Sequence, residues 1–559
     1  MDWIPITRWL PGYRRSDFRF DLIAGVTVAA LVVPKALGYA GIALIPIQNG
    51  LYAAAAGAFV YALFGTSRQI STGPSSALAA VAASAVVTAA VPEVDAPRLV
   101  AAITLVAGAL FVLLAVFKMG WVSRFLSKAV ITGFLFGAAI EVVIGELPKL
   151  TGTSATGKNG WRKLIDWFDT LDGRHVATIV VGVLALAVIV LLRFMLPKVP
   201  GALVLVVGGL LASALFDLAD RGVATVGDVP RGLPVPMLPD AQTFTDHFST
   251  ILLASVALLL IGFSQTAGDA RMFASRHGYR VDVDQESTAQ GLANLGSGVF
   301  QGMPVSTSLS ASSLNDSAGA RTPMASIVTS VVVVLTLLVF APLFSDLPKA
   351  VLAAIIIDAV VFGMIDIAEM QRLWRLARVD FWIAVAAIVG VLANGVLTGV
   401  IVGMMLSLGW LVYVNARPAV YELGRQPKTT TYRSLEDNPD DERSPGVAVL
   451  RFDGGLYFVT TEVLTDQLRS RVEGAEPPVR AVVLDFEAVN FVDSQGVGEL
   501  ARILQVATDL DIELRFARTK SRVLDMLAID GVVDRLGADH FHPSVDEAVR
   551  AALANNAPR

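Results

Sequence analysis

Two clusters of Gly, Pro and Ser interrupt otherwise apolar stretches: Thr72-Gly73-Pro74-Ser75-Ser76 and Gly302-Met303-Pro304-Val305-Ser306-Thr307-Ser308. The first leads into a run of small residues from Ala77, the second into Leu309-Ser310-Ala311. A helix that begins inside a membrane leaves its first N–H groups without helical acceptors, and its aligned peptide dipoles place about half a positive charge there. Two such starts facing one another offer an anion about one positive unit. Ser75, Ser76, Ser308 and Ser310 are small enough to keep that backbone accessible, and their hydroxyls donate. Pro74 and Pro304 suit a first helical turn, where a missing N–H costs nothing. Taken singly, either cluster reads as close helix packing before it reads as a site. Their positions favour binding: with halves opening near Phe20 and Thr250, each Pro lies 54 residues in, the mark of an internally repeated transporter.

The elements around these clusters belong to a membrane. The chain has 559 residues, 54% hydrophobic and only 17% charged, against about 25% charge in soluble domains, and its mean hydropathy is +0.62. Apolar runs near the ~20 residues of a span include Leu99–Phe117, Ile179–Leu196, Ile251–Phe263, Ile327–Leu343 and Phe381–Val396. No cleavable signal follows the amphipathic N-terminus. About fourteen hydrophobic elements lie between residues 18 and 416. Basic residues gather at Arg14, Arg15 and Arg19, at Lys118, Arg124 and Lys128, at Arg193 and Lys198, at Arg271, Arg276 and Arg280, and at Arg372, Arg375 and Arg378. All fall on the cytoplasmic side of a path that starts inside; the five Lys/Arg of Gly145–Val176 fall outside, against the rule.

The domain boundaries read as 1–417 in the membrane, a linker at 418–445 and a soluble domain at 446–559. The last alternates strands (Val447–Phe452, Leu456–Val459, Val479–Phe486, Ile512–Ala517) with helices (Thr461–Arg471, Gly496–Thr508, Ser521–Leu527, Val545–Leu553). It reads as a small α/β domain.

Several chemistries are excluded. There is no cysteine, hence no disulfide, Cys-ligated zinc or thiol nucleophile. The net charge of −5 carries no basic stripe for nucleic acid. Gly152–Asn159 nearly spells a phosphate-binding loop but lacks the final Ser/Thr and a preceding strand. His540 and His542 have no further ligands at metal spacing and read as surface histidines. No catalytic constellation supports an enzyme, and no cofactor or metal is expected.

The run Asp21 … Gly25 … Val33-Pro34 … Tyr39-Ala40, then Gly50-Leu51-Tyr52 and Gly65-Thr66-Ser67-Arg68-Gln69, resembles the opening of the SulP (sulfate permease) anion transporters. The likeness continues through Ala270-Arg271 … His277-Gly278-Tyr279 … Gln285-Glu286 … Gly291 … Asn294, Pro304 … Ser310, Gly319-Ala320-Arg321 and Leu347-Pro348. Val492-Asp493-Ser494-Gln495-Gly496 resembles the D-S-x-G place of the STAS domain that ends this family. The resemblance implies a polytopic α-helical membrane protein of fourteen segments in two inverted repeats of seven. Their core and gate bundles are similar to UraA-type transporters, and a cytoplasmic STAS domain follows. It implies a homodimer, in contact with membrane lipid, in a bacterial-type inner membrane. The cargo it implies is a small anion (sulfate, bicarbonate, chloride or a dicarboxylate), bound between the half-helices of segments 3 and 10.

Carried onto this chain, the implied site comprises Lys35, Ser75, Ser76, Gln265, Ser308, Leu309 and Ser310. A Lys within a span costs about 2.5–3.5 kcal/mol, so Lys35 must face protein or water and find a partner, or else snorkel to an interface. Family members frequently carry Arg where this chain has Ala311, so Lys35 reads as a relocated cation. Gln265 stands where relatives hold an acid, and Asp269 lies one turn on. Asp269 has three readings: it pairs with Lys35, it titrates and couples anion entry to a proton, or it merely sits at the cytoplasmic helix end beside Arg271. The second gives proton-coupled symport. Sodium is the other coupling ion the family implies, but an amide at 265 supports it poorly; Thr266 and Ser306 are its remaining oxygens. Asp21, Arg68, Glu286, Asn294 and Arg321 read as structural, and Asp358 is a further intramembrane acid. Ser494 is either phosphorylated or, with Asp493, caps the following helix. The rival readings are an uncoupled anion exchanger or channel, and a membrane-tethered STAS signalling protein.

Overall fold

The computed structural model describes residues 4–92, 94–119, 127–154, 157, 160–196, 199–473, 475 and 478–555; Arg124, Lys158, Asn159 and Lys198 lie outside them. Two compact units divide the chain, Met1–Ser407 and Leu408–Arg559.

The first unit is built from apolar helices. In chain order they are α1 (Arg15–Ile42), α2 (Ile47–Phe64), α3 (Ser76–Ala89), α4 (Ala96–Val116), α5 (Lys128–Thr151), α6 (Val176–Met195), α7 (Gly201–Phe216), α8 (Phe248–His277), α9 (Val283–Val299), α10 (Leu309–Ser317), α11 (Met324–Leu335), α12 (Lys349–Met364), α13 (Arg378–Asn394) and α14 (Val396–Asn415), with α14 running past the unit boundary. Among the described residues, nine helices are long and apolar enough to cross a membrane, while Ser76–Ala89 and Gly201–Phe216 are apolar but shorter. Such helices gain little from hydrophobicity against one another, so close backbone approach and interhelical hydrogen bonds hold them. At Gly50 an added Cβ would stand 2.0 Å from the Ala36 carbonyl oxygen, which lets α2 lie directly on α1. Gly108 and Gly291 face each other where α4 meets α9, each 2.8 Å from the other's carbonyl oxygen once given a Cβ. Buried hydroxyls donate to carbonyls of neighbouring helices: Ser255 to Ile103 at 3.0 Å, Ser287 to Phe111 at 2.9 Å and Ser330 to Ala55 at 2.8 Å.

Carboxylates and amides tie the chain ends of these helices. Asp21 accepts from the backbone N–H groups of Arg321 (2.8 Å) and Thr322 (3.1 Å). Glu286 accepts from Thr66 N at 2.7 Å, Ser67 N at 3.1 Å and the Tyr61 hydroxyl. Asp358 on α12 is held by both guanidinium arms of Arg193, at 2.8 and 2.6 Å.

Two three-residue strands interrupt the helices, β1 (Thr72–Pro74) and β2 (Val305–Thr307). They pair antiparallel with Gly73 opposite Ser306 and Pro74 opposite Val305. The prolines therefore sit outside the helices: Pro74 ends β1 and Pro304 precedes β2, whereas a first helical turn was expected of both. A two-stranded ribbon always has an unpaired side, so a residue without an N–H fits there.

The second unit holds a six-stranded sheet in the order β4-β3-β5-β6-β7-β8, formed by β3 (Ala419–Arg425), β4 (Tyr432–Ser434), β5 (Val447–Asp453), β6 (Ala481–Asp485), β7 (Glu513–Ala517) and β8 (Phe541–His542). Strands β5 to β8 run parallel and β3 antiparallel. Helices α15 (Thr461–Val472), α16 (Ser494–Asp509), α17 (Ser521–Ile529) and α18 (Val545–Asn555) accompany it. β3 and β4 lie in the stretch read as linker. Leu456–Val459, expected as a strand, forms one bridge from Leu456 to Val492 and then a turn closed by Thr460, whose hydroxyl donates to the Gly455 carbonyl at 2.8 Å. His540 and His542 are half-buried rather than surface residues: His542 lies 2.9 Å from the Arg515 guanidinium and His540 3.6 Å from Glu513. Burial, then Arg515, holds the His542 imidazole below the usual histidine range.

Replacing Gly50 by Val drives a side chain into the Ala36 backbone. The expected outcome is destabilisation of at least about 1–3 kcal/mol, the ordinary cost of overpacking, read as a lower Tm and less monodisperse purified protein. An unchanged Tm would mean that α1 and α2 separate easily at this crossing.

Candidate functional site

The β1–β2 ribbon organises a cavity of about 490 Å³. Because the strands are antiparallel, α3 and α10 start at opposite ends of the ribbon and run away from it, so their N-terminal ends converge on the space between. Ser75, Ser76, Ser308, Leu309 and Ser310 all line that cavity, and so do Lys35, Gln265 and Asp269. Every intramembrane site residue expected from the sequence is thus brought to one place.

The ribbon is anchored from behind by α9. Asn294 accepts from Val305 N at 3.0 Å and donates to Val305 O at 2.9 Å, while Gln290 donates to the same carbonyl at 2.6 Å. From the front, α8 holds β2: Ser306 donates to Gln265 Oε1 and Thr307 to Asp269 Oδ2, both at 2.8 Å. Gln265 and Asp269 are one turn apart and share the cavity face.

The two helix starts differ. Ser308 caps α10 with its own hydroxyl, accepting from Ala311 N at 3.4 Å. Ser75 occupies the same position on α3 in extended conformation, with no side-chain cap. The first-turn amides of α3 therefore face the cavity without a local acceptor of that kind, the condition that invites an anion.

Lys35 donates to the Ser310 hydroxyl at 3.0 Å. Its ammonium reaches the start of α10 one residue from the buried Ala311, and it shares a small side pocket with that alanine. This is the partner a charge within a span requires. The pairing of Lys35 with Asp269 is not formed: Ser310 takes the lysine and Thr307 the aspartate. Nor does Asp269 end its helix, since α8 runs on to His277.

Other walls were not anticipated. Tyr39, one turn after Lys35, and Thr307 line the cavity, and Leu135, Ala359, Phe362, Gly363 and Met364 close the opposite side from α5 and α12. The i, i+4 spacing from Lys35 is a signal for Tyr39. The apolar wall carries none, because its residues look like any other lipid-embedded segment. Thr266 donates its hydroxyl to the Gly262 carbonyl and Ser306 donates its own to Gln265 Oε1, both at 2.8 Å. Among the described residues no group of three or more His, Cys, Asp or Glu is arranged to hold a metal.

In the second unit, Asp493 caps α16, accepting from Gly496 N at 2.7 Å, and Ser494 stands exposed as the first helical residue.

Residues 18–387 match the family model described as the sulfate permease family, and residues 438–548 match the STAS domain. The chain belongs to the sulfate permease family. It is 30% identical over 550 residues to a probable sulfate transporter of Mycobacterium tuberculosis, covering 97% of this chain and 98% of that protein. It is 31% identical to solute carrier family 26 member 10 of Mus musculus, covering 99% and 86%. Among solved structures, the murine solute carrier 26 member A9 anion transporter in its inward-facing state superposes with a TM-score of 0.90 at 22% identity, covering 99% and 94%. The transmembrane domain of a cyanobacterial bicarbonate transporter superposes at 0.59 and 24%, covering 71% and 99%. The protein is accordingly an integral membrane anion transporter of the sulfate permease and solute carrier 26 type, with a C-terminal STAS domain, and not an enzyme.

Replacing Ser75 by Leu fills the space in front of the uncapped α3 amides. Anion binding to the purified protein is expected to be lost while its Tm stays within the range of ordinary surface changes; unaltered binding would put the anion elsewhere.

Proposed function

We propose that the protein carries a small anion together with a proton, by alternating access, with the anion seated between the starts of α3 and α10. The observation that supports this is the convergence of two helix N-termini, one lysine and one carboxylate on a single cavity. Sulfate leads the substrate class, since relatives at about 30% identity bear that name; bicarbonate and small dicarboxylates share the charge and size that such a pocket selects. With Asp269 ionised, its charge cancels that of Lys35. A proton on Asp269 leaves the ammonium and two helix starts uncompensated, so anion and proton favour each other's binding. Thr307 holds the carboxylate toward the cavity in either state. The N-terminus and the STAS domain lie in the cytoplasm of a bacterial-type cell, as the basic loops indicate, and two copies form the working unit.

Liposome flux of radiolabelled sulfate, bicarbonate and dicarboxylates, with and without an imposed pH gradient, tests this reading. Uptake of at least one anion is expected to rise with an inward proton gradient; indifference of all of them to the gradient defeats the coupling. Lys35→Gln is expected to lower uptake roughly tenfold, as loss of a desolvated charge contact does, and normal uptake at every concentration would remove Lys35 from the site. Asp269→Asn is expected to leave uptake insensitive to pH, which an unchanged pH profile would refute.

A further inference from the structure

A second cavity, of about 220 Å³, continues the seam that contains the first. On α3 the lining passes from Ser76 and Ala77 in the first cavity to Ala80, Ala83 and Val87 in the second, one helix face followed turn by turn. On α1 it passes from Lys35 and Tyr39 to Gly41 and Ile42, and on α5 from Leu135 to Glu141 and Glu146. Since α1 runs from Arg15 to Ile42, the second cavity lies toward the membrane face opposite the N-terminus.

This cavity is charged where the seam is otherwise small and apolar. Among the described residues its titratable lining is Glu141, Glu146, Lys149 and Lys163, while α1, α3 and α14 present only Gly, Ala, Ile, Leu and Val. Arg162 and Asp166, on the helix Gly160–Asp169 that carries Lys163, do not line it. Lys149 donates to Glu146 Oε1 at 2.7 Å, and the Glu146 side chain is 5% exposed. Its other oxygen is buried with no donor among the described residues, and Oε2 of Glu141 is in the same condition. A buried carboxylate oxygen without a donor is costly, and a proton is the smallest species that relieves it.

We infer that this cavity is a proton-loaded station on the anion's path. With both carboxylates ionised, two negative charges balance two ammonium groups and an anion gains nothing by entering. One proton, taken from the solvent at that face by Glu141, which has no ion pair of its own among the described residues, leaves the cavity with one net positive charge and admits the anion. The inference rests on the symport reading above and names the group through which the proton arrives.

The chain has no cysteine, so Ala83→Cys places a single thiol in the cavity, with Val87→Cys as a second reporter. In the full-length protein in liposomes, modification by an anionic and by a cationic methanethiosulfonate is measured from the face opposite the N-terminus. Their rate ratio cancels the thiolate dependence they share. The ratio of anionic to cationic reagent is expected to rise about five- to tenfold from about pH 7.5 to about pH 5.5, as one added unit of nearby charge would produce. It is expected to be high and independent of pH once Glu141→Gln and Glu146→Gln are added. A ratio unmoved by pH in the protein with both glutamates overturns the inference, as does failure of either reagent to reach both reporters. The labelling does not involve Asp269, so a failed pH effect on uptake through that residue leaves this result to be judged separately.

Discussion

A helix may be broken inside a membrane only where its freed backbone groups find partners within the protein. Here the breaks before α3 and α10 supply partners to each other. Gly73 lies against Ser306 and Thr72 against Thr307, Ser308 N extends the ladder to Ser71 O at 3.0 Å, and Asn294 with Gln290 saturates both polar groups of Val305. The groups left over are the amides at the helix starts, and these face the cavity. The same geometry that makes the breaks tolerable also makes the cavity electropositive.

In the binding mode proposed above, the two ends of that ribbon divide the work of holding an anion. At α10 the serine cap and the Lys35–Ser310 contact tie the amide end and the cation together. At α3 no side chain caps the first turn, so backbone N–H groups are the donors on offer. An anion seated between them would meet a side-chain charge on one side and a fixed dipole on the other. The fixed side demands space, which Ser75, Ser76 and Ala77 provide by being small; the charged side demands a countercharge when empty, which the Ser310 hydroxyl supplies only as a dipole.

How much of this was legible in the sequence follows from what each residue must do. Lys35 and Asp269 stand out because ionisable residues within apolar stretches are rare and costly, whereas Ser75, Ser76, Ser308 and Ser310 stand out only through the matched positions of their two clusters, since serines also serve helix packing. The α/β order of the C-terminal unit was legible from strand and helix periodicity, apart from the hairpin of β3 and β4, which joins the sheet through the pairing of β3 with β5 and leaves no local trace of that docking. The prolines misled: an N1 position and an edge of a short ribbon both tolerate a missing N–H, and only the pairing of Pro74 with Val305 decides between them. Leu135, Phe362 and Met364 had no signal, because a wall facing an anion and a face toward lipid are written in the same residues. The partner choice of Lys35 and Asp269 depends on side-chain reach across four elements, which spacing along one helix does not encode.

The remaining acids bear on how a single lysine could serve the proposed site. Glu286 would oppose an anion if its charge reached the cavity, but it is buried behind the ribbon and spends its oxygens on Thr66, Ser67 and Tyr61. Asp358 stands closer, on the helix that carries Phe362 and Met364 into the cavity wall. It is bound on both oxygens by Arg193, whose guanidinium lies 4.4 Å above the Phe362 ring. That arrangement cancels the Asp358 charge and braces the ring that closes the cavity, so one ion pair serves both electrostatics and shape. With Asp358 paired to Arg193 and Glu286 hydrogen-bonded away from the cavity, Lys35 and Asp269 are the Lys, Arg, Asp or Glu residues among its lining, so in the symport proposed above the charge of the cavity would turn on one proton.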